Sequence, residues 1–300
     1  MKAVVLMAYG TPRSMKDVEA YYTHIRGGRK PTPEELDNLI ERYEAIGGTS
    51  PLIEITERER AGLESSLRAA GSETKVYAAM KHSPPFVADV VKEASEDGAE
   101  ELLALALAPH YSRMSVGSYI SSVKEANEGL SRKMKLSLVE SWHDNPVLIR
   151  VWSDRIRDAA SRMAGAYWLV FSAHSLPERI LSEGDPYKDQ LLHTCGLITH
   201  EVGKKEWSFS FQSAGHTPEP WLGPDLVEHL ESLRGKGETR FLIAPVGFVS
   251  DHLEILYDID VECSQWARDS GVSLSRCRSL NDSKEFVGCL FSIVKERGFL

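Results

Sequence analysis

The stretch WLVFSAHSLPERI, residues 168–180, decides how this chain is read. Trp168, Leu169, Val170 and Phe171 form a short apolar run, which predicts a buried β-strand over residues 168–171. The run gives way to Ser172-Ala173-His174-Ser175 and then to Pro177, which lacks a backbone donor and suits a turn. A strand that stops at a histidine and turns leaves an imidazole at the edge of a sheet. In open α/β sheets ligands bind there, beyond the carboxyl ends of the strands.

Working outward, comparable runs occur at Ala3–Ala8, Lys75–Met80, Glu101–Ala108, Leu136–Glu140, Ser208–Phe211, Arg240–Ala244 and Val272–Leu274. Amphipathic segments separate them; Phe86, Val87, Val90, Val91 and Ala94, for example, fall on one helical face. Strand and helix in alternation predict parallel α/β sheets. Three matches in the same order suggest an internal repeat. LMAYGTP (6–12) aligns with FSAHSLP (171–177), MKHSPP (80–85) with AGHTPE (214–219), and LAPHYS (107–112) with IAPVGF (243–248). These matches pair Tyr9 with His174, His82 with His216 and Pro109 with Pro245. The reading is two related four-stranded halves, residues 1–145 and 146–300, with an insertion in the first over residues 13–50. His174 then faces a cleft from one side and Tyr9 from the other.

Composition narrows the function. The 300 residues are 42% hydrophobic and 26% charged, which fits a soluble globular chain. A net charge of −9 argues against a general nucleic-acid binder. Cys195, Cys263, Cys277 and Cys289 form no C-x-x-C pair, which argues against a zinc ribbon or thioredoxin-like site and fits a reducing compartment. MKAVVLMAYG reads as a first strand rather than a signal peptide, and no apolar run reaches the length of a membrane span. A cytoplasmic protein is expected. AYGTPRS carries neither G-x-G-x-x-G nor a P-loop lysine, and FSAHSLP is not a G-x-S-x-G elbow, so Ser175 is not read as a nucleophile.

Chemistry concentrates in two further stretches. In APVGFVSDHLEILYDIDVEC (244–263), Ser250-Asp251 reads as an N-cap, and Glu254, Asp258 and Glu262 then recur every fourth residue. On a helix these carboxylates form one ridge with no lysine or arginine to relieve their repulsion. A solvated acidic face is one reading; a stepped path for a hydrated divalent cation is the other. Glu254 paired with His174 would make a two-ligand site, suited to a metal in transit rather than a resident one. The insertion gathers Arg26, Arg29, Lys30 and Arg42 with Tyr21, Tyr22 and Tyr43, and GGTSP (47–51) adds a hydroxyl at Ser50. Arginine forks match carboxylates, so this segment suits a flat, anionic, aromatic ligand, although an exposed amphipathic excursion has the same pattern.

The stretches MAYGTP, YYTHIRGGRKP, RYEAIGGTSPL, KHSPPF, APHYS, SAHSLPE, GDPY, TPEPWLGPD and PVGFVSDHLEILYDIDVEC together resemble the ferrochelatases, in particular the short, cluster-free bacterial type associated with coproporphyrin. The resemblance runs from residue 7 to residue 263. It implies two Rossmann-like, chelatase-type domains with four-stranded parallel sheets flanked by helices and an active-site cleft between them. It implies insertion of ferrous iron into a porphyrin, with iron as substrate and no permanent cofactor. By motif position, His174 and Glu254 match the catalytic metal-side pair, and Asp258 and Glu262 match the acidic approach to it. Tyr9 matches the residue on the opposite face of the macrocycle. Arg26, Arg42, Tyr43, Ser50 and Tyr119 match porphyrin contacts.

Two departures stand out. Gly27 replaces a basic residue common in the family's HIRRGRKP. The cysteines do not form the closely spaced C-terminal group of cluster-bearing relatives, so no iron–sulfur cluster is expected. The chain is expected to act as a monomer. Two rival readings are a cobalt or nickel chelatase of a reduced tetrapyrrole, often with two histidines near the metal, and a non-catalytic haem carrier, which has no use for an acidic ridge.

Overall fold

The computed structural model describes residues 1–215 and 217–300. The first half comprises β1 (Lys2–Ala8), α1 (Val18–Ile25), α2 (Pro33–Ala45), α3 (Leu52–Ala69), β2 (Lys75–Met80), α4 (Val87–Glu96), β3 (Glu101–Ala106), α5 (Val116–Glu128) and β4 (Lys135–Val139). After α6 (Pro146–Ser161) come β5 (Trp168–His174), α7 (Arg179–Ser182), α8 (Tyr187–Val202), β6 (Trp207–Gln212), α9 (Leu226–Gly235), β7 (Arg240–Ala244), α10 (Leu253–Leu256), a π-helical segment (Asp258–Cys263), α11 (Ser264–Ser270), β8 (Ser273–Arg276) and α12 (Lys284–Glu296).

The two sheets repeat one topology: β2-β1-β3-β4 and β6-β5-β7-β8, all parallel. Central strands are apolar on both faces, as helix-covered parallel strands must be; Ala3 through Met7 and Leu169 through Phe171 are all buried. The insertion is a 3-10 turn (Met15–Asp17) followed by α1 and α2, standing between β1 and α3. α2 starts with a capping box, Thr32 and Glu35 satisfying one another's backbone N–H groups.

Besides an apolar cluster of its own in each half, the two halves share a core. One apolar cluster joins Val4, Leu6, Leu63 and Leu105 of the first sheet and its helix to Leu169, Phe171, Phe286 and Leu290. α12 closes this cluster by packing on both α3 and α6. The chain end returns to the first half, where the Thr74 hydroxyl donates to the Phe299 carbonyl at 3.1 Å.

Strand register corrects part of the expected repeat. Ala8 pairs with Met80, and Ala173 pairs with Phe211, which keeps Tyr9 and His174 equivalent. Both strands close alike: the Met80 N–H donates to Pro85 O and the Phe211 N–H to Pro224 O, each at 2.8 Å. Ser213 therefore takes the place of His82; His216 itself lies outside the described residues. Likewise Leu6 pairs with Leu105 and Phe171 with Ala244, so Pro109 is equivalent to Phe248 rather than Pro245. The connection after β6 is longer than that after β2, and matching on proline aligned turn residues instead of strand ends.

Candidate active site

His174 is the last residue of β5, so the strand runs three residues past the predicted Phe171. Gly247, in the loop after β7, packs against it: a Cβ there would come within 2.3 Å of the Ala173 Cβ. Only glycine allows that approach, and the Gly247 N–H donates to Ser172 O at 3.1 Å. The Tyr187 hydroxyl holds the His174 carbonyl at 3.0 Å. The same GDPY segment supplies buried Asp185, which accepts from the Ser112 hydroxyl and the Arg113 N–H across the two halves. Three connections thus fix the imidazole from behind.

In front, His174 Nδ1 meets Glu254 Oε2 at 3.0 Å. Gln212, whose Oε1 accepts from Ser172, donates its amide to the Glu254 carbonyl at 2.9 Å. Burial alone would push the His174 imidazole toward neutrality, but the Glu254 carboxylate beside it outweighs burial and raises its pKa. Burial likewise disfavours the Glu254 carboxylate, yet His174 and His252 hold it well below the usual carboxylate range. Each member of the pair therefore favours the charged form of the other. His252 is the residue that sequence reasoning passed over within DHLE. Its Nε2 stands 3.7 Å from Glu254 Oε2, while its Nδ1–H donates to Ser250 O at 2.9 Å.

The acidic ridge is not a plain α-helix. α10 is one turn long, and both Val261 N–H and Glu262 N–H donate to Tyr257 O, at 3.0 and 2.9 Å, which widens the backbone into the π segment. Such widenings concentrate at functional sites. An α turn leaves residues four apart about 40° out of line; the wider π turn rotates the next step back. Asp251 is not the expected N-cap, because Ser279, Asn281 and Arg276 hold its carboxylate; His252 stands at the cap position without a side-chain cap bond. Burial is deepest at the middle of the ridge, with Glu254 half-buried. Glu262 is exposed, Asp258 is 6% exposed, and Glu254 ends against His174.

Asp258 is also the link between the insertion and the second half. Arg42 of α2 forms an ion pair with Asp258 and stacks over the Tyr257 ring at 4.7 Å. The Ser213 hydroxyl donates to the other Asp258 oxygen, from a residue whose φ of 59° lies in the left-handed region. Burial raises the Asp258 pKa, with Arg42 opposing and Glu254 adding to the rise. The structure thus engages Arg42 with the ridge rather than leaving it wholly free for a ligand.

Tyr9 follows β1 directly and is 43% exposed. Surrounding protein, the Glu254 charge and Tyr43 keep its phenol protonated. Its ring lies 4.6 Å from that of His82, whose Nδ1 is 3.0 Å from His24 Nδ1. Burial, then Lys81 and His24, push His82 down to about 3, so it is neutral. Tyr43 is buried, bonds Thr11 at 3.2 Å and is pushed up to about 12, chiefly by burial. Tyr119 is buried on α5 with the Lys81 ammonium 5.4 Å over its ring.

Arg26 stands apart, bonded to Glu35 at 2.7 Å and lying against Tyr22. Glu35 therefore serves both the capping box and Arg26. Gly27 adopts φ 64°, a conformation in which the family's basic residue would be strained. Buried polar atoms normally have partners. Among the described residues the exceptions include Arg26 Nε, Arg42 Nε and Ser50 Oγ, three of the groups that sequence assigned to porphyrin. No three His, Cys, Asp or Glu side chains gather into a metal cage among the described residues. All four cysteines are buried and free. Among the described residues, no helix is long and apolar enough to cross a membrane.

This architecture, two four-stranded parallel sheets flanked by helices, is the fold of solved chelatases. The sirohydrochlorin chelatase SirB from Bacillus subtilis subspecies spizizenii, solved with cobalt, superposes with a TM-score of 0.61 at 12% identity, covering 99% of this chain and 95% of that one. SirB from Bacillus subtilis with Fe3+ gives 0.63 at 12% identity with the same coverage. Sequence comparison is more specific. The ferrochelatase family model matches residues 1–298. The chain is 45% identical to the coproporphyrin III ferrochelatase of Oceanobacillus iheyensis over 98% of its own length and 96% of that protein. It is 44% identical to that of Bacillus subtilis, covering 98% and 97%, and 43% identical to the ferrochelatase of Herpetosiphon aurantiacus, covering 97% of each. The chain belongs to the ferrochelatase family.

Proposed function

We propose that this protein inserts ferrous iron into a porphyrin, with coproporphyrin III the favoured substrate and coproheme the product. The observation that carries this reading is the His174–Glu254 pair at 3.0 Å, set at the end of β5 with the carboxylate ridge leading to it. A free porphyrin hides its nitrogen lone pairs in the ring plane and holds two N–H protons. Metal insertion therefore needs a distorted ring, a way in for a dehydrating cation and a way out for protons. Tyr9 presents an aromatic surface opposite the pair. Arg26 Nε, Arg42 Nε and Ser50 Oγ, unpartnered in the protein, are the groups that would bind propionates, and binding at the rim can offset the strain of bending the ring. His174 would accept a pyrrole proton, which Glu254 stabilises. Asp258 and Glu262 would exchange the water of an incoming cation stepwise. Iron is substrate throughout, and no permanent cofactor or cluster is invoked. The protein is proposed to act as a monomer in the cytoplasm.

Initial rates of iron insertion into coproporphyrin III and protoporphyrin IX test the substrate assignment. A higher kcat/KM for coproporphyrin is expected; a clear preference for protoporphyrin would reverse it. The ridge separates a catalyst from a haem carrier. Replacing Asp258→Asn and Glu262→Gln together should lower insertion several-fold at limiting metal, while affinity for finished haem stays constant. Superimposable rate curves would return the ridge to a solvated helix face.

A further inference from the structure

Glu59 lies on α3 within the charged run TERERAGLE, yet it is wholly buried. Its Oε1 accepts from the Ser250 hydroxyl at 2.7 Å, and its Oε2 has no partner among the described residues. Ser250 in turn accepts, at its backbone carbonyl, the Nδ1–H of His252. That bond orients the ring and leaves Nε2 directed at Glu254. A carboxyl group of the first half is thus connected through one serine to the histidine that flanks the metal-side pair of the second.

We infer that Glu59 is a positioning residue: through Ser250 it sets the orientation of His252, and so of the loop that presents Glu254 to an incoming cation. The inference rests on the proposed role of Glu254. A buried polar group without a partner is costly, and Glu59 has one such oxygen among the described residues. Burial pushes Glu59 up to about 8, so it is a neutral acid at physiological pH. Ser250 favours its ionised form and Asp282 disfavours it, while Arg58, held by Asp282 at 2.7 Å, favours it weakly. As a neutral acid it can hold Ser250 without leaving a charge in the core.

Three variants test this: Glu59→Leu, Glu59→Gln and Ser250→Ala. Glu59→Leu and Ser250→Ala should lower kcat/KM for the metal about tenfold, with the porphyrin KM within twofold of wild type. Glu59→Gln, which keeps an acceptor for Ser250, should retain at least half the wild-type value. Imidazole 15N shifts of the unliganded protein supply a readout independent of turnover. The His252 Nδ1 shift should report its hydrogen bond to Ser250 O in wild type and Glu59→Gln, and its loss in Glu59→Leu. Wild-type metal kinetics in Glu59→Leu, an unchanged His252 Nδ1 shift in that variant, or Glu59→Gln as impaired as Glu59→Leu would each overturn the inference. A wild-type protein that metallates no porphyrin would instead refute the proposed function and leave the His252 Nδ1 shift to decide the role of Glu59.

Discussion

His174→Ala is expected to abolish most iron insertion, by about 10²–10⁴-fold, the range for loss of a positioned acid–base group, while porphyrin still binds. The imidazole makes no contact with Arg26, Arg42 or Ser50 that porphyrin binding would need; its one side-chain bond is to Glu254. Its removal also leaves Glu254 without the nearer of its two histidines. Glu254 is held ionised against burial by those partners, so its pKa should rise in the variant and its hold on a divalent cation should weaken. Porphyrin affinity by fluorescence quenching should stay within about threefold. Near-normal turnover would remove His174 from the mechanism, and lost porphyrin binding with intact chemistry would relocate it to the substrate wall.

Arg42→Ala is expected to affect stability as well as substrate binding. Arg42 neutralises Asp258, which is almost completely enclosed, and also stacks on Tyr257. Breaking a fully buried pair by removing one partner costs about 3–5 kcal/mol. Arg42 keeps 24% of its side-chain surface in water, so a loss of roughly 2–3 kcal/mol is expected here. Adding Asp258→Asn should recover much of that loss, because no charge then remains unpaired; porphyrin affinity should not recover, since the guanidinium is still missing. Denaturant titration of the two single variants and the double variant checks the first point, and quenching checks the second. Equal stability of wild type and Arg42→Ala would mean that the contact between insertion and ridge is incidental.

Some of this was legible in the chain. The runs Lys75–Met80 and Arg240–Ala244 became strands with those bounds, because continuous apolar residues flanked by turn residues suit a strand buried on both faces. The placement of His174 and Tyr9 at strand ends followed from the same pattern. The π segment did not, since a spacing of four is compatible with an α-helix, and the widening depends on Tyr257 O serving two donors and on Asp258 being drawn to Arg42 and Ser213. That pairing of Arg42 with Asp258 joins residues distant in sequence and has no local signature. Glu59 was hidden for the opposite reason: amid Glu57, Arg58 and Arg60 it reads as one more solvated charge. His252 was visible in DHLE, but its direction is set by Ser250, which a linear pattern does not reveal.

The most direct test of the central claim is the absorbance of coproporphyrin III mixed anaerobically with ferrous iron, with and without the protein, and with Glu254→Gln in its place. The wild-type protein should collapse the multiple Q bands of the free porphyrin into the simpler pattern of the metallated ring, catalytically and in proportion to protein added, and Glu254→Gln should not. Metallation at the rate of the uncatalysed mixture, or equal rates with Glu254→Gln, would contradict the account.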